Sequence, residues 1–190
     1  MILDPALSQR TIALVGLMGA GKSSVGRRLA HALGLPFRDA DEEVERAAGR
    51  SVAEIFDQLG ETAFRDGERR VIARLLDEPP HVLATGGGAF MNPETRALIA
   101  SKAISVWLQA DVEVLVKRVA RKNDRPLLHG RDPREVLEAL ARERHPVYAQ
   151  ADIAVESIES PHHITVQAII DALTARLAAP PVVSRPAVSP

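Results

Sequence analysis

The chain has 190 residues, a formal net charge of -1 and no cysteine. That length suits one α/β domain with a sizeable core and is short for two. The near-neutral balance argues against a general nucleic-acid or membrane-surface protein, and the missing thiols exclude a disulfide framework and any thiolate metal site.

Residues 1 to 10, MILDPALSQR, read as a loose lead-in without the apolar core of a signal peptide. No stretch is long enough in apolar residues to span a bilayer, so a cytoplasmic protein is expected. Thr11 to Val15 is a β-branched and apolar run, the pattern of a strand buried on both faces. Gly16-Leu-Met-Gly-Ala-Gly-Lys22-Ser23 then matches the phosphate-binding pattern G-x-x-x-x-G-K-[ST] without a mismatch. Val25, Leu29 and Leu33 follow at spacing four, with Gly34 as C-cap and Pro36 beyond, so a helix begins at the loop. Strand, glycine loop and helix thus stand in the order that binding a polyphosphate requires. The loop's N–H groups and the helix dipole face the anion, Lys22 reaches the β- and γ-phosphates, and the Ser23 hydroxyl is placed for Mg²⁺.

Residues 36 to 41 form a short strand ending in Asp39 and Asp41, and Asp39 with Glu42 predicts a capping box for a helix stopping at Gly49. Ser51 to Glu54 is a second capping box, opening a helix that stops at Gly60. A further helix, Glu61 to Leu76, ends before Pro79 and Pro80. His81 to Thr85 is a strand that runs into Gly86-Gly87-Gly88, followed by a helix over 94–101 and a strand over 103–108. Helical period returns over 111–122, a loop covers 123–131, and a helix from Asp132-Pro133 reaches Tyr148. A last strand over 152–155 and a helix through Ile164 and Leu173 complete the domain, expected over 11–177. The proline-rich residues 178–190 are expected to be a disordered tail. Strands alternating with helices imply a parallel sheet covered on both faces, and the extra helices over about 42–77 look like an inserted substrate-binding element.

Five further features bear on chemistry. Asp39 and Asp41 stand at the carboxyl end of a strand, where ligands of open α/β sheets bind, although capping accounts equally well for Asp39. Glu61, Arg65 and Glu68 lie at helical spacings that hold the guanidinium for bidentate carboxylate binding, or else form an ordinary solvated face. Three consecutive glycines imply close approach of backbone to a ligand. Lys117, Arg118, Arg121, Lys122, Arg125 and Arg131 against the single acidic Asp124 suit a lid over phosphates, though a basic helix face explains Lys117 and Arg118. Arg144 is either a second carboxylate clamp or a C-terminal helix cation. His162-His163 reads as a pair of surface polar residues.

Taken in order, GLMGAGKSS (16–24), D-A-D (39–41), F-R-D-G-E (64–68), T-G-G-G (85–88), R-P-L-L (125–128) and R-H-P-V-Y (144–148) resemble the shikimate kinase family over about residues 11 to 175. The resemblance implies a P-loop NTPase fold of the nucleoside-monophosphate-kinase type, a five-stranded parallel sheet ordered 2-3-1-4-5 and flanked by helices. It also implies ATP- and Mg²⁺-dependent phosphorylation of the 3-hydroxyl of shikimate. On that pattern Gly19, Ala20, Gly21, Lys22, Ser23 and Ser24 hold the nucleotide, Ser23 binds Mg²⁺ and Asp39 assists through water. Asp41, Arg65, Gly87 and Arg144 contact shikimate, Arg125 is the lid arginine, and Lys22, Asp41 and Arg125 carry the chemistry. Ser24 stands where threonine is more usual, and the tail lies outside the pattern. The expected partners are shikimate and ATP, with no nucleic acid and no membrane, and a monomer is expected. A gluconate or nucleoside-monophosphate kinase and a non-catalytic nucleotide switch are the competing readings. The absence of an N-K-x-D motif counts against a guanine-nucleotide switch.

Overall fold

The computed structural model describes residues 5–120, 128, 130–159 and 161–178. Five parallel strands, β1 (Thr11–Val15), β2 (Phe37–Asp39), β3 (Val82–Ala84), β4 (Ala103–Gln109) and β5 (Ile153–Glu156), form one sheet ordered β2-β3-β1-β4-β5. The order is the one the family pattern implies. β1 lies at the centre, with Ile12 opposite Val82 on one side and Ile104 on the other. Every residue of β1 is buried, as its unbroken apolar run requires for a strand covered on both faces.

Helices α1 (Lys22–Leu33), α2 (Ala40–Ala48), α3 (Val52–Leu75), α4 (Pro93–Lys102), α5 (Val112–Val119), α6 (Pro133–Tyr148) and α7 (His162–Ala178) flank the sheet. α1 ends at Gly34, where a left-handed residue closes the helix as the sequence predicts. The Ser51 capping box is present in both directions, Ser51 Oγ accepting from Glu54 N while Glu54 accepts from Ser51 N. α3 runs on through Gly60 but breaks its helical geometry there (φ 82°, ψ 170°), so the two expected helices meet at a kink.

Two expectations change. Leu7 is buried beside α7 within a short 3-10 turn at Pro5–Ser8, so residues 1 to 10 are not all a loose lead-in. Asp39 caps α2 alone, its side chain accepting from Asp41 N, while Glu42 turns outward and pairs with Arg27 of α1. A guanidinium within reach offers Glu42 a charge-assisted partner in place of the backbone N–H. The lid residues 123–127 and 129, and 179–190 of the expected tail, lie outside the described residues. Among the described residues no helix is long and apolar enough to cross a membrane.

α1 sits hard on the sheet at Gly26, where a Cβ would fall 2.6 Å from Phe37 Cε2 and 3.1 Å from Leu14 Cδ1. Gly26→Ala is therefore expected to destabilise the fold. The helix-propensity gain of about 1 kcal/mol is outweighed by overpacking that costs about 1–3 kcal/mol. Urea denaturation measures the balance, and a variant more stable than the parent would show that the sheet yields there.

Candidate active site

The carboxyl ends of the central strands carry the glycine loop, and its shape is set by its neighbours. Gly16 has φ 136° and passes so close to β4 that a Cβ would lie 2.7 Å from Leu108 O. Only glycine fits that conformation and that space. Lys22 Nζ donates to Gly16 O at 2.8 Å and Leu17 O at 3.0 Å, so the ammonium lies over the loop. Ser23 Oγ donates to Asp39 Oδ2 at 2.6 Å, while Asp39 Oδ1 accepts from Asp41 N at 3.1 Å. Of the readings that its sequence left open, the structure shows the cap. One oxygen caps α2 and the other faces the loop serine.

From the far side the loop is braced by Arg118, which the sequence left open as a lid cation or part of a basic helix face. Arg118 Nη1 reaches Gly19 O at 3.3 Å and Ser157 Oγ at 3.0 Å, and its Nη2 donates to Ile158 O at 2.8 Å. Buried Ser157 itself donates to Ala20 O at 2.8 Å. Burial pulls the Arg118 guanidinium below its ordinary pKa, with Glu159 opposing. Nothing local in the sequence marks Ser157 or separates Arg118 from its basic neighbours. Their role comes from the approach of α5 and β5 to the loop.

Across the strand ends lies a second group. Arg65 Nη1 donates to Glu68 Oε2 at 2.8 Å, and its Nε and Nη2 reach Glu61 Oε1 at 3.3 and 3.1 Å. Glu68 is only 2% exposed, which excludes the solvated-face reading for this carboxylate. Its Oε1 has no hydrogen-bond partner among the described residues. Burial pushes the Glu68 carboxyl above its usual range against the pull of Arg65, and Asp41 adds to the rise. Arg144 is 8% exposed and donates from Nη1 to Gly87 O at 3.1 Å. No described carboxylate lies within ion-pair distance of it, and its guanidinium faces the glycine turn.

The triple glycine has a different cause from the one expected. A Cβ on Gly86 would overlap Glu68 Oε1 and sit 2.9 Å from Asp41 Oδ1, and one on Gly88 would sit 2.5 Å from Arg65 Cζ. Two of the three glycines make room for the protein's own charged side chains. A Cβ on Gly87 would meet Met18 N at 3.4 Å and Gly16 O at 3.6 Å, ordinary contact distances.

Two adjoining cavities occupy these strand ends. One, of about 350 Å³, is lined by Asp41, Phe56, Arg65, Glu68, the three glycines and Arg144. The other, of about 420 Å³, is lined by Gly19, Gly21, Lys22, Ser23, Ser24, Arg118 and His162. Met18, Ser23, Asp39, Asp41 and Gly87 border both. His162, expected on the plain surface, therefore faces the loop cavity. Burial lowers its pKa, with Arg28 and Arg118 contributing. Of the remaining predicted residues, Ala20 is buried in the loop, and Arg125 lies outside the described residues.

Glu68 generates a pH prediction. A carboxyl whose folded pKa is raised binds its proton more tightly in the folded state. Its contribution to stability is complete at low pH and is lost as pH rises from about 4.3 through the folded pKa. Glu68→Gln, which mimics the protonated form, is expected to melt above the parent at pH 8, with the gap closing toward pH 4.5. A gap independent of pH in paired thermal melts would show that Glu68 is not the titrating group.

The family model for shikimate kinase matches residues 18–174. A shikimate kinase of Caulobacter vibrioides is 70% identical over 167 residues, covering 88% of this chain and 84% of that protein. One from Bradyrhizobium diazoefficiens is 56% identical over 172 residues, covering 90% and 83%. The solved shikimate kinase of Acinetobacter baumannii, in complex with shikimate, superposes with a TM-score of 0.88 at 35% identity, over 93% of this chain and all of that one. With a family match over most of the domain and relatives this similar, the chain belongs to the shikimate kinase family.

Proposed function

We propose that this chain transfers the γ-phosphoryl group of ATP to the 3-hydroxyl of shikimate, as a cytoplasmic monomer. The observation that carries the reading is Arg144, a nearly buried guanidinium with no carboxylate partner among the described residues, in the cavity next to the glycine loop. Burying an arginine without a counter-ion is costly unless a ligand supplies the anion. Shikimate carries one carboxylate for Arg144 and Arg65, and hydroxyls for Asp41.

In this reading ATP lies in the loop cavity, its phosphates held by the N–H groups of Gly19 to Ser24 and by Lys22 once that ammonium leaves its loop carbonyls. Asp41 borders both cavities, where it would accept a hydrogen bond from the attacking hydroxyl and orient it along the line of transfer. Ser23 and Asp39 fit Mg²⁺. A hydroxyl and a carboxylate oxygen 2.6 Å apart beside the loop are hard oxygen donors. No group of three or more acidic or histidine ligands competes for a metal among the described residues. Mg²⁺ usually keeps several waters and is held by few protein oxygens together with substrate phosphates, where it neutralises charge on the β- and γ-phosphates. The role of Arg125 as a lid arginine rests on the family resemblance alone.

Two variant sets test this reading. Lys22→Met is expected to lower kcat by about a hundredfold or more while circular dichroism stays unchanged, because the ammonium faces charge that moves during transfer. Near-normal kcat in a folded variant would remove the loop lysine from the mechanism. Arg144→Lys and Arg65→Lys keep the charge but lose the planar two-pronged donor geometry. Each loss of a charge-assisted hydrogen bond costs about 1.5–3 kcal/mol, so calorimetry should find shikimate bound at least tenfold more weakly and an ATP analogue bound as before. Unchanged shikimate affinity in both variants would defeat the carboxylate clamp.

A further inference from the structure

The cavity wall contains a contact that the proposed chemistry does not yet use. Arg144 and Tyr148 stand four residues apart on α6, so both side chains leave the same face of the helix. Both end on one atom. Arg144 Nη1 donates to Gly87 O, and the Tyr148 hydroxyl donates to the same oxygen. A carbonyl oxygen has two lone pairs, so these two donors saturate it.

We infer that Tyr148 is a positioning residue for the acceptor site, its hydroxyl fixing the Gly87 carbonyl and with it the orientation of Arg144. The inference rests on the reading of this cavity as the shikimate site. With its oxygen held, the trans peptide joining Gly87 to Gly88 cannot rotate, and the Gly88 N–H is kept on the opposite side. The flanking carbonyls of the turn are held by backbone bonds, Gly86 O accepting from Ala89 N and Gly88 O from Met91 N, and the two side chains of α6 hold the carbonyl between them. Arg144 gains a fixed anchor that carries no negative charge. Its guanidinium is therefore oriented without being neutralised, unlike that of Arg65 between Glu61 and Glu68.

Tyr148 is equipped for this role. It is fully buried, its ring lying between Phe90 (centroids 6.4 Å apart) and Trp107 (6.0 Å). Burial pushes its hydroxyl up to about 12, against the opposing pull of Arg144, so it remains a proton donor throughout the working pH range. Were Tyr148 only filling the core, its ring would suffice and the hydroxyl would matter to stability alone.

The test compares Tyr148→Phe, which removes only the hydroxyl, with Phe90→Leu, which loosens the packing around the ring and leaves the hydroxyl in place. Calorimetric titrations with shikimate and with ADP are run on both, alongside steady-state kinetics and thermal melts. Tyr148→Phe should weaken shikimate binding and raise its KM about fivefold, the loss expected for one hydrogen bond, with ADP affinity unchanged. Phe90→Leu should lower the melting temperature and leave shikimate affinity as it was. Unchanged shikimate affinity in Tyr148→Phe, equal losses for both ligands, or the same loss in Phe90→Leu would each overturn the inference. Arg144→Lys separates the two levels. If it weakens shikimate binding and Tyr148→Phe does not, the acceptor site stands and the positioning role falls.

Discussion

Asp41, Arg65, Glu68 and Arg144 converge beneath a turn of three glycines, and the need to bury charge there shapes the surrounding structure. Removing such groups from water costs several kcal/mol each unless partners compensate. Arg65 is compensated by Glu61 and Glu68, and Glu68 in turn pays for its position with a raised pKa. Arg144 donates to the Gly87 carbonyl and feels Glu68 at longer range, with no described carboxylate at ion-pair distance. The glycines follow from this packing. Gly86 and Gly88 are small because Glu68 and Arg65 occupy the volume that side chains would fill.

The loop cavity and the acceptor cavity meet at a short run of polar contacts. Ser23 opens α1, Asp39 ends β2 and caps α2, and Asp41 lies in the first turn of α2. The hydrogen bonds from Ser23 to Asp39 and from Asp41 N to Asp39 fix these three residues relative to each other. A helix start, a strand end and a cap thus place the groups proposed for metal and hydroxyl on one border. The arrangement follows from backbone geometry more than from long flexible side chains. That suits phosphoryl transfer, where catalysis is mostly positioning and charge stabilisation.

What the sequence made legible was local. The β-branched run of β1, the loop glycines and the spacing of Val25, Leu29 and Leu33 lie within one stretch, and each constrains the next. The Ser51 capping box and the break at Gly60 were readable for the same reason. What escaped depends on chain segments far apart. Arg118 braces a loop about a hundred residues earlier, Ser157 does so from the end of β5, and the burial of Glu68 is decided by the glycine turn above it. Glu42 satisfied a capping pattern in sequence but found Arg27 in space. Three consecutive glycines suggest a ligand close to the backbone, whereas the groups close to Gly86 and Gly88 are side chains of this chain. His162 gave no signal because its partners across the cavity come from α1 and α5.

The central claim is that two anionic ligands share the border at Asp41, one in each cavity. It is tested most directly by ATP turnover in the presence of Mg²⁺ with shikimate, gluconate, a nucleoside monophosphate or no acceptor, with the product identified by phosphorus NMR. The account predicts ADP release that depends on shikimate and a phosphate ester on its 3-hydroxyl. Equal turnover without shikimate, transfer to gluconate or the nucleotide instead, or phosphate on another hydroxyl would contradict it.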